Sequence, residues 1–223
     1  MATYDNAVQG SALGTVATNK LIRNTYTLLA ITLVFSAAMA GLAMVIQVSP
    51  GVSMFCSLGA LALLWFVLPR TANSGAGIGV VFAITGLLGF GLGPILSMYL
   101  AMPNGAELVM TALGGTGVIF LGLSCYALTT KRDFSFMAGF IFSGVLVAFV
   151  AGIAAMLFSL PGLALGVSAM FVLLMSGMIL FQTSQIVNGG ETNYVLATVT
   201  LYVSIYNLFT SLLHLLGAFG GDD

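Results

Sequence analysis

Charge is what this sequence has least of: five Lys or Arg and six Asp or Glu are spread over 223 residues, for a formal net charge of −1. Soluble domains carry roughly a quarter charged residues, so an ordinary water-solvated fold is excluded. A basic nucleic-acid surface and a polybasic lipid patch are excluded with it. One His and two Cys offer no metal-ligand spacing, and nothing implies a cofactor. Proline is also scarce, and four of the five residues, Pro50, Pro69, Pro103 and Pro161, fall between apolar runs; only Pro94 lies inside one. No nucleophile has a base at a usable spacing. Gly114-Gly115-Thr116-Gly117 lies within an apolar run, where a phosphate cradle makes no physical sense. No enzymatic activity is expected.

What is abundant is hydrocarbon. The chain is 60% hydrophobic, with a mean hydropathy of +1.14. A spanning helix needs about 20 apolar residues, and seven runs qualify: 26–48, 52–68, 78–100, 106–129, 134–160, 163–187 and 193–219. The expected fold is all-α, a polytopic integral membrane protein whose seven transmembrane helices form one compact bundle. Connections of a few residues make successive helices antiparallel neighbours. Residues 1–25 are expected to be a disordered cytosolic tail, 26–219 the membrane domain, and 220–223 a short external tail. No internal repeat points to an inverted-repeat transporter.

The few charges orient the bundle. Lys20 and Arg23 precede the first run, Arg70 follows the second, and Lys131 and Arg132 follow the fourth, while the other gaps hold no Lys or Arg. The positive-inside bias places the basic gaps and the amino terminus in the cytoplasm and the carboxyl terminus outside. Without a small-residue cleavage pattern after it, the first run reads as an uncleaved anchor. Tyr26, Trp65, Tyr126 and Tyr194 then sit at inner run ends and Tyr99 at an outer one, as interfacial aromatics do. Cys56 and Cys125 fall at opposite faces, too far apart for a disulfide, and both are expected to be buried small hydrophobes.

Local signals mark the gaps. Asn104 with Glu107, and Thr130 with Asp133, have capping-box spacing; Gly189-Gly190 reads as a helix stop. Glycines at 86, 89, 91 and 93, and at 114, 115, 117 and 122, are expected to permit close helix packing. Gly93-Pro94 is also a candidate hinge, because proline removes an intrahelical hydrogen bond and glycine adds backbone freedom.

The last run carries a polar seam at helical spacing: Asn193, Thr200, Ser204, Asn207, Ser211 and His214. The sixth run adds Ser176, Gln182, Thr183, Ser184 and Gln185. Polar side chains in hydrocarbon turn inward. Two readings follow, interhelical adhesion or a narrow polar path lined by Gln182, Ser204 and Asn207, with His214 near its outer end and Arg70 as a further candidate on the inner side. Calcium favours carboxylates, and none lies deep in any run, which counts against a tight calcium site.

The segment Leu123-Ser124-Cys125-Tyr126-Ala127-Leu128-Thr129-Thr130-Lys131-Arg132-Asp133-Phe134-Ser135-Phe136 resembles the Bax inhibitor-1 family of seven-helix membrane proteins. Gly93-Pro94-Ile95-Leu96 and Leu201-Tyr202-Val203-Ser204-Ile205-Tyr206-Asn207-Leu208-Phe209 support it. Arg23-Asn24-Thr25-Tyr26, Leu113-Gly114-Gly115-Thr116 and Gly189-Gly190-Glu191-Thr192-Asn193-Tyr194 are similar to the proteobacterial branch known as modulators of the FtsH membrane protease. The resemblance implies a bacterial inner-membrane location with a periplasmic carboxyl terminus. It also implies regulatory binding to that protease, or a pH-gated calcium leak controlled by an acid pair in helices six and seven. Gln182 and Ser204 match the acid positions, and neither ionises near neutral pH, so the pH gate is not implied here. A modulator or client of the protease is therefore the expected function, with a cation leak and a purely structural membrane partner as alternatives.

Overall fold

A computed structural model describes the backbone of residues 2–220 and the side chains of residues 16–220. Among the described residues it is built of α1 (Ala2–Val45), α2 (Pro50–Thr71), α3 (Ala76–Leu100), α4 (Gly105–Thr130), α5 (Ala138–Leu157), α6 (Pro161–Asn188) and α7 (Tyr194–Phe219). All seven are long and apolar enough to cross a bilayer, α1 over Val16–Val45 and α5 with its leading 3-10 turn over Ser135–Leu157. Helix α1 starts at Ala2, so its backbone runs through the stretch set apart as a tail in sequence.

The breaks have local causes. Pro50 and Pro161 open α2 and α6, where a missing N–H costs nothing. Gly189 ends α6 with φ 77°, and the Gly190 and Glu191 N–H groups return to the Gln185 carbonyl. Asn193 caps α7 by accepting from the Val195 and Leu196 N–H groups. Neither capping box forms. Asn104 makes no cap bond and donates instead to the Gly220 carbonyl at 2.6 Å. Thr130 closes α4 by donating to the Tyr126 carbonyl, 2.9 Å away.

Pro69 does not end α2 as its placement in a gap predicts. Its ring excludes the regular bond to residue 65, and the helix widens into a π turn over Leu63–Val67, with the Leu68 N–H donating to the Leu63 carbonyl. Nearby carbonyls are taken by side chains: Arg70 donates to Phe66 and Thr71 to Val67 at 2.9 Å. The helix thereby continues to Thr71. Trp65 and Phe66 point outward at 75% and 61% exposure, which fits an interfacial aromatic position.

Helices α3 and α7 form the middle of the bundle, with 56% and 61% of an apolar 18-residue stretch of each buried against 17–28% for the other five. Helix α3 packs on α1 and α2; α7 packs on α6, α4 and α1; α5 leans mainly on α6. The α1–α3 contact depends on absent side chains. A Cβ on Gly89 would overlap the backbone and hydroxyl of Ser36, and one on Gly93 would overlap Ala43 and lie 3.0 Å from the Ala40 carbonyl. Lipid supplies no hydrophobic force between helices, so this closeness is the main source of their association. Gly91 meets α2 instead, near Cys56 and Ser53. The second glycine run behaves differently: a Cβ at Gly114, Gly117 or Gly122 meets nothing within 4 Å, because this face of α4 turns away from the bundle.

Tyr99 and Cys125 also depart from their sequence readings. Tyr99 is 6% exposed within an apolar cluster drawn from α1, α3, α4 and α7, and Cys125 is exposed whereas Cys56 is buried. Both thiols are free.

Gly89→Leu is expected to destabilise the bundle by about 1–3 kcal/mol through overpacking, whereas Gly117→Leu should change stability little. Thermal unfolding of both variants in detergent checks the difference; equal effects would deny the α1–α3 seam its role.

Candidate functional site

The polar residues of α7 lie in its most buried stretch, and four of them bond to their own helix. Ser204, 1% exposed, donates to the Thr200 carbonyl at 2.8 Å, and Asn207 donates its amide to Val203 at 2.8 Å. Thr198 donates to Tyr194 at 2.7 Å and Thr210 to Tyr206 at 3.0 Å. Such back-bonding satisfies a hydroxyl in hydrocarbon without a partner helix. Within the seam the Ser204 and Asn207 donors are therefore taken, while the Thr200 hydroxyl makes no hydrogen bond among the described residues.

Gln182 differs. Its side chain is 6% exposed and its Nε2 has no hydrogen-bond partner among the described residues. Thr25 and Ser124 also carry buried, unpartnered hydroxyls. All three belong to the turns of α1, α4 and α6 nearest the basic end. Cross-links tie that region together: the Tyr26 ring lies 6.1 Å from Phe120, its hydroxyl is 3.3 Å from that of Thr183, and Thr198 donates to the Thr25 carbonyl at 3.3 Å. Buried polar atoms without protein partners commonly hold internal water. Chemically this region can solvate a neutral polar guest or water; it supplies no carboxylate for a metal, and no group of three potential ligands occurs among the described residues.

The other candidates are dispersed. His214 lies ten residues beyond Ser204 on α7, about 15 Å along the axis. Its Nδ1 is 2.7 Å from the Ser168 hydroxyl of α6, beside a hollow lined also by Ser159 and Pro161. Arg70 is exposed at the basic end and bonded to its own helix. Gly93 and Pro94 are buried in an unbroken α3, with Gly93 against α1. Gln182 and Ser204 sit on neighbouring helices, and no hydrogen bond joins them among the described residues.

Two features escaped the sequence reading. Tyr202, 1% exposed, donates to the Thr85 carbonyl of α3 at 3.3 Å and shares a 2.5 Å hydrogen bond with Ser36 of α1. A tyrosine in mid-span was the available signal, since its hydroxyl needs a partner there. The second feature is the α4–α5 turn. Ser184 of α6 donates to the Arg132 carbonyl at 2.9 Å and accepts from the Phe134 N–H at 3.1 Å. Gln185 donates to Ser135 at 2.7 Å, and Asn188 donates to Arg132 at 3.2 Å. Thus much of the α6 polar cluster holds this turn instead of facing α7. Asp133 accepts both the N–H and the hydroxyl of Ser135; the hydroxyl bond first and the N–H second hold its carboxyl below the usual carboxylate value.

A family model described as "Inhibitor of apoptosis-promoting Bax1" matches residues 18–221. A Vibrio cholerae protein called an uncharacterized membrane protein is 47% identical over 209 residues, 94% of each chain. An Escherichia coli K12 protein named modulator of FtsH protease YccA is 47% identical over 203 residues, 91% of each chain. An uncharacterized Neisseria meningitidis protein is 31% identical over 220 residues, covering 94% of this chain and 95% of its own.

Tyr202→Phe is expected to lower stability by about 1–3 kcal/mol, because it strips a buried hydroxyl pair and leaves Ser36 without its partner; denaturant titration in detergent measures it. Asp133→Ala is expected to lower Tm modestly at neutral pH. A depressed carboxylate stabilises above its unfolded pKa of about 3.9 and loses that contribution as pH falls through the lower folded value. The Tm gap between the two proteins should therefore close in acid, and a gap that persists there would assign the effect to something other than the carboxylate.

Proposed function

Since this chain belongs to the Bax inhibitor-1 family, we propose that it modulates an FtsH-type AAA protease of the bacterial inner membrane and is itself a slowly processed client. The likeness to the Escherichia coli protein of that name carries the reading. Its amino terminus lies in the cytoplasm and its carboxyl terminus in the periplasm, the orientation that the basic gaps favour.

The physical route is competition. An ATP-driven unfoldase pulls on a cytosolic segment, here the residues ahead of the span that begins at Val16, and the pull passes directly into the rest of α1. That helix is locked to α3 by the Gly89 and Gly93 contacts and to α7 through the Ser36–Tyr202 bond. Extraction must break these contacts before anything else moves, so the chain occupies the protease for a long time and delays other substrates. No catalytic group of its own is needed. A pH-gated calcium leak has less behind it: Gln182 and Ser204 stand at the acid positions, neither ionises near neutral pH, and the Ser204 hydroxyl is already bonded to Thr200.

Deleting residues 2–19 is expected to lengthen the protein's half-life in cells containing the protease and to abolish their co-purification, with the Tm of the bundle in detergent unchanged. An unaltered half-life, together with no co-purification of the intact chain, would overturn the proposal.

A further inference from the structure

The bundle has a lateral cleft remote from Gln182 and from the basic end. Helix α1 packs on α3 and α4 packs on α7, whereas α1 and α4 are not packed against each other. Between them lies a cavity of about 230 Å³. Ala37, Gly41 and Met44 form its α1 wall and Val109 and Leu113 its α4 wall. Its floor includes buried Leu92 of α3 and Tyr202, Ile205 and Phe209 of α7. Small residues at Ala37, Ala40 and Gly41 leave the middle of the α1 wall open: a Cβ at Gly41 would meet nothing within 4 Å.

The chemistry of the lining selects an occupant. No charged residue contributes, and most of the polar groups are engaged, Ser36 with Tyr202 at 2.5 Å and Thr116 with the Ala112 carbonyl at 2.7 Å; the Tyr206 phenol is the one further polar group in an otherwise apolar lining. What remains is a hydrocarbon wall whose mouth, at exposed Ala37 and Leu113, lies within membrane-spanning segments. The cleft opens within two membrane-spanning segments, at a depth where the surrounding medium is lipid acyl chain. A flexible chain one methylene wide fits, and it restores the dispersion contacts that an empty apolar hollow lacks.

The geometry points to a binding site for one acyl chain of a bilayer phospholipid, entering between α1 and α4 in the half of the membrane away from the basic end. The chain completes the packing of α1 on the side that α3 leaves open.

The test reconstitutes the full-length protein in phosphatidylethanolamine/phosphatidylglycerol vesicles containing a phosphatidylethanolamine whose acyl chain bears a diazirine. After irradiation, adducts are mapped by peptide mass spectrometry. Adducts are expected on the floor residues Tyr202, Ile205 and Phe209 as well as on the lipid-facing side chains Phe142 and Phe149 of α5. Gly41→Leu places its side chain in open space and should lower floor labelling about tenfold, equivalent to losing the burial of two methylenes, while α5 labelling stays constant. Ala37→Leu narrows the mouth and should act in the same direction, and constant α5 labelling certifies that each variant is folded. Floor residues labelled no more than background, or labelled equally in both filled variants and the wild type, would overturn the site.

Discussion

The Tyr202 hydroxyl, bonded to Ser36 of α1 and to the Thr85 carbonyl of α3, is the interaction on which the bundle turns. Hydrocarbon offers a buried hydroxyl nothing, so each such group must find its partner within the protein. Tyr202 does so by joining three helices at one point. Its position is possible only because Gly89 lets α3 come close enough for Ser36 to lie at the α1–α3 contact. Small residues set the distance, and the hydroxyl pair fixes the register.

The remaining polar groups sort by whether they meet the same constraint locally. Ser204, Asn207 and Thr210 meet it within α7, so they add polarity to the core without committing the helix to a neighbour. Ser184, Gln185 and Asn188 meet it by holding the α4–α5 turn, which gives the Lys131-to-Phe136 segment a structural purpose beyond its charge. Gln182, with Thr25 and Ser124, leaves a buried polar atom unpartnered among the described residues, and there the bundle departs from a fully satisfied core. A scaffold with one soft polar region near the basic end and a tightly sewn α1 is physically suited to resisting extraction from that end.

Much of this was legible in the sequence. Seven spans followed from run length, the helix stop at Gly189 from glycine chemistry, and the α7 start from Asn193. The errors have physical causes. Pro69 was placed in a gap because proline usually stops a helix, yet a π turn absorbed it. The α4 glycines were expected to pack like those of α3, but smallness permits approach without providing a neighbour. The capping boxes failed because Asn104 bonds the far end of α7 and Asp133 accepts from Ser135 two residues on, and spacing alone does not encode such competition. Gln182, Ser204, Asn207, His214 and Arg70 shared a list but not a place: each obeys the rule that polar groups turn inward or to an interface, and that rule does not say towards which partner.

The sequence by itself determined that the chain lives in a bilayer, how often it crosses and which ends carry the positive charge, because these depend on transfer energies that add along the chain. Only the tertiary structure decided that α3 and α7 lie in the middle, that Ser36 belongs to Tyr202, and that a hollow opens between α1 and α4. Those outcomes depend on which surfaces come within van der Waals reach. Contact of that kind is a property of helix pairs, and no single run of residues contains it.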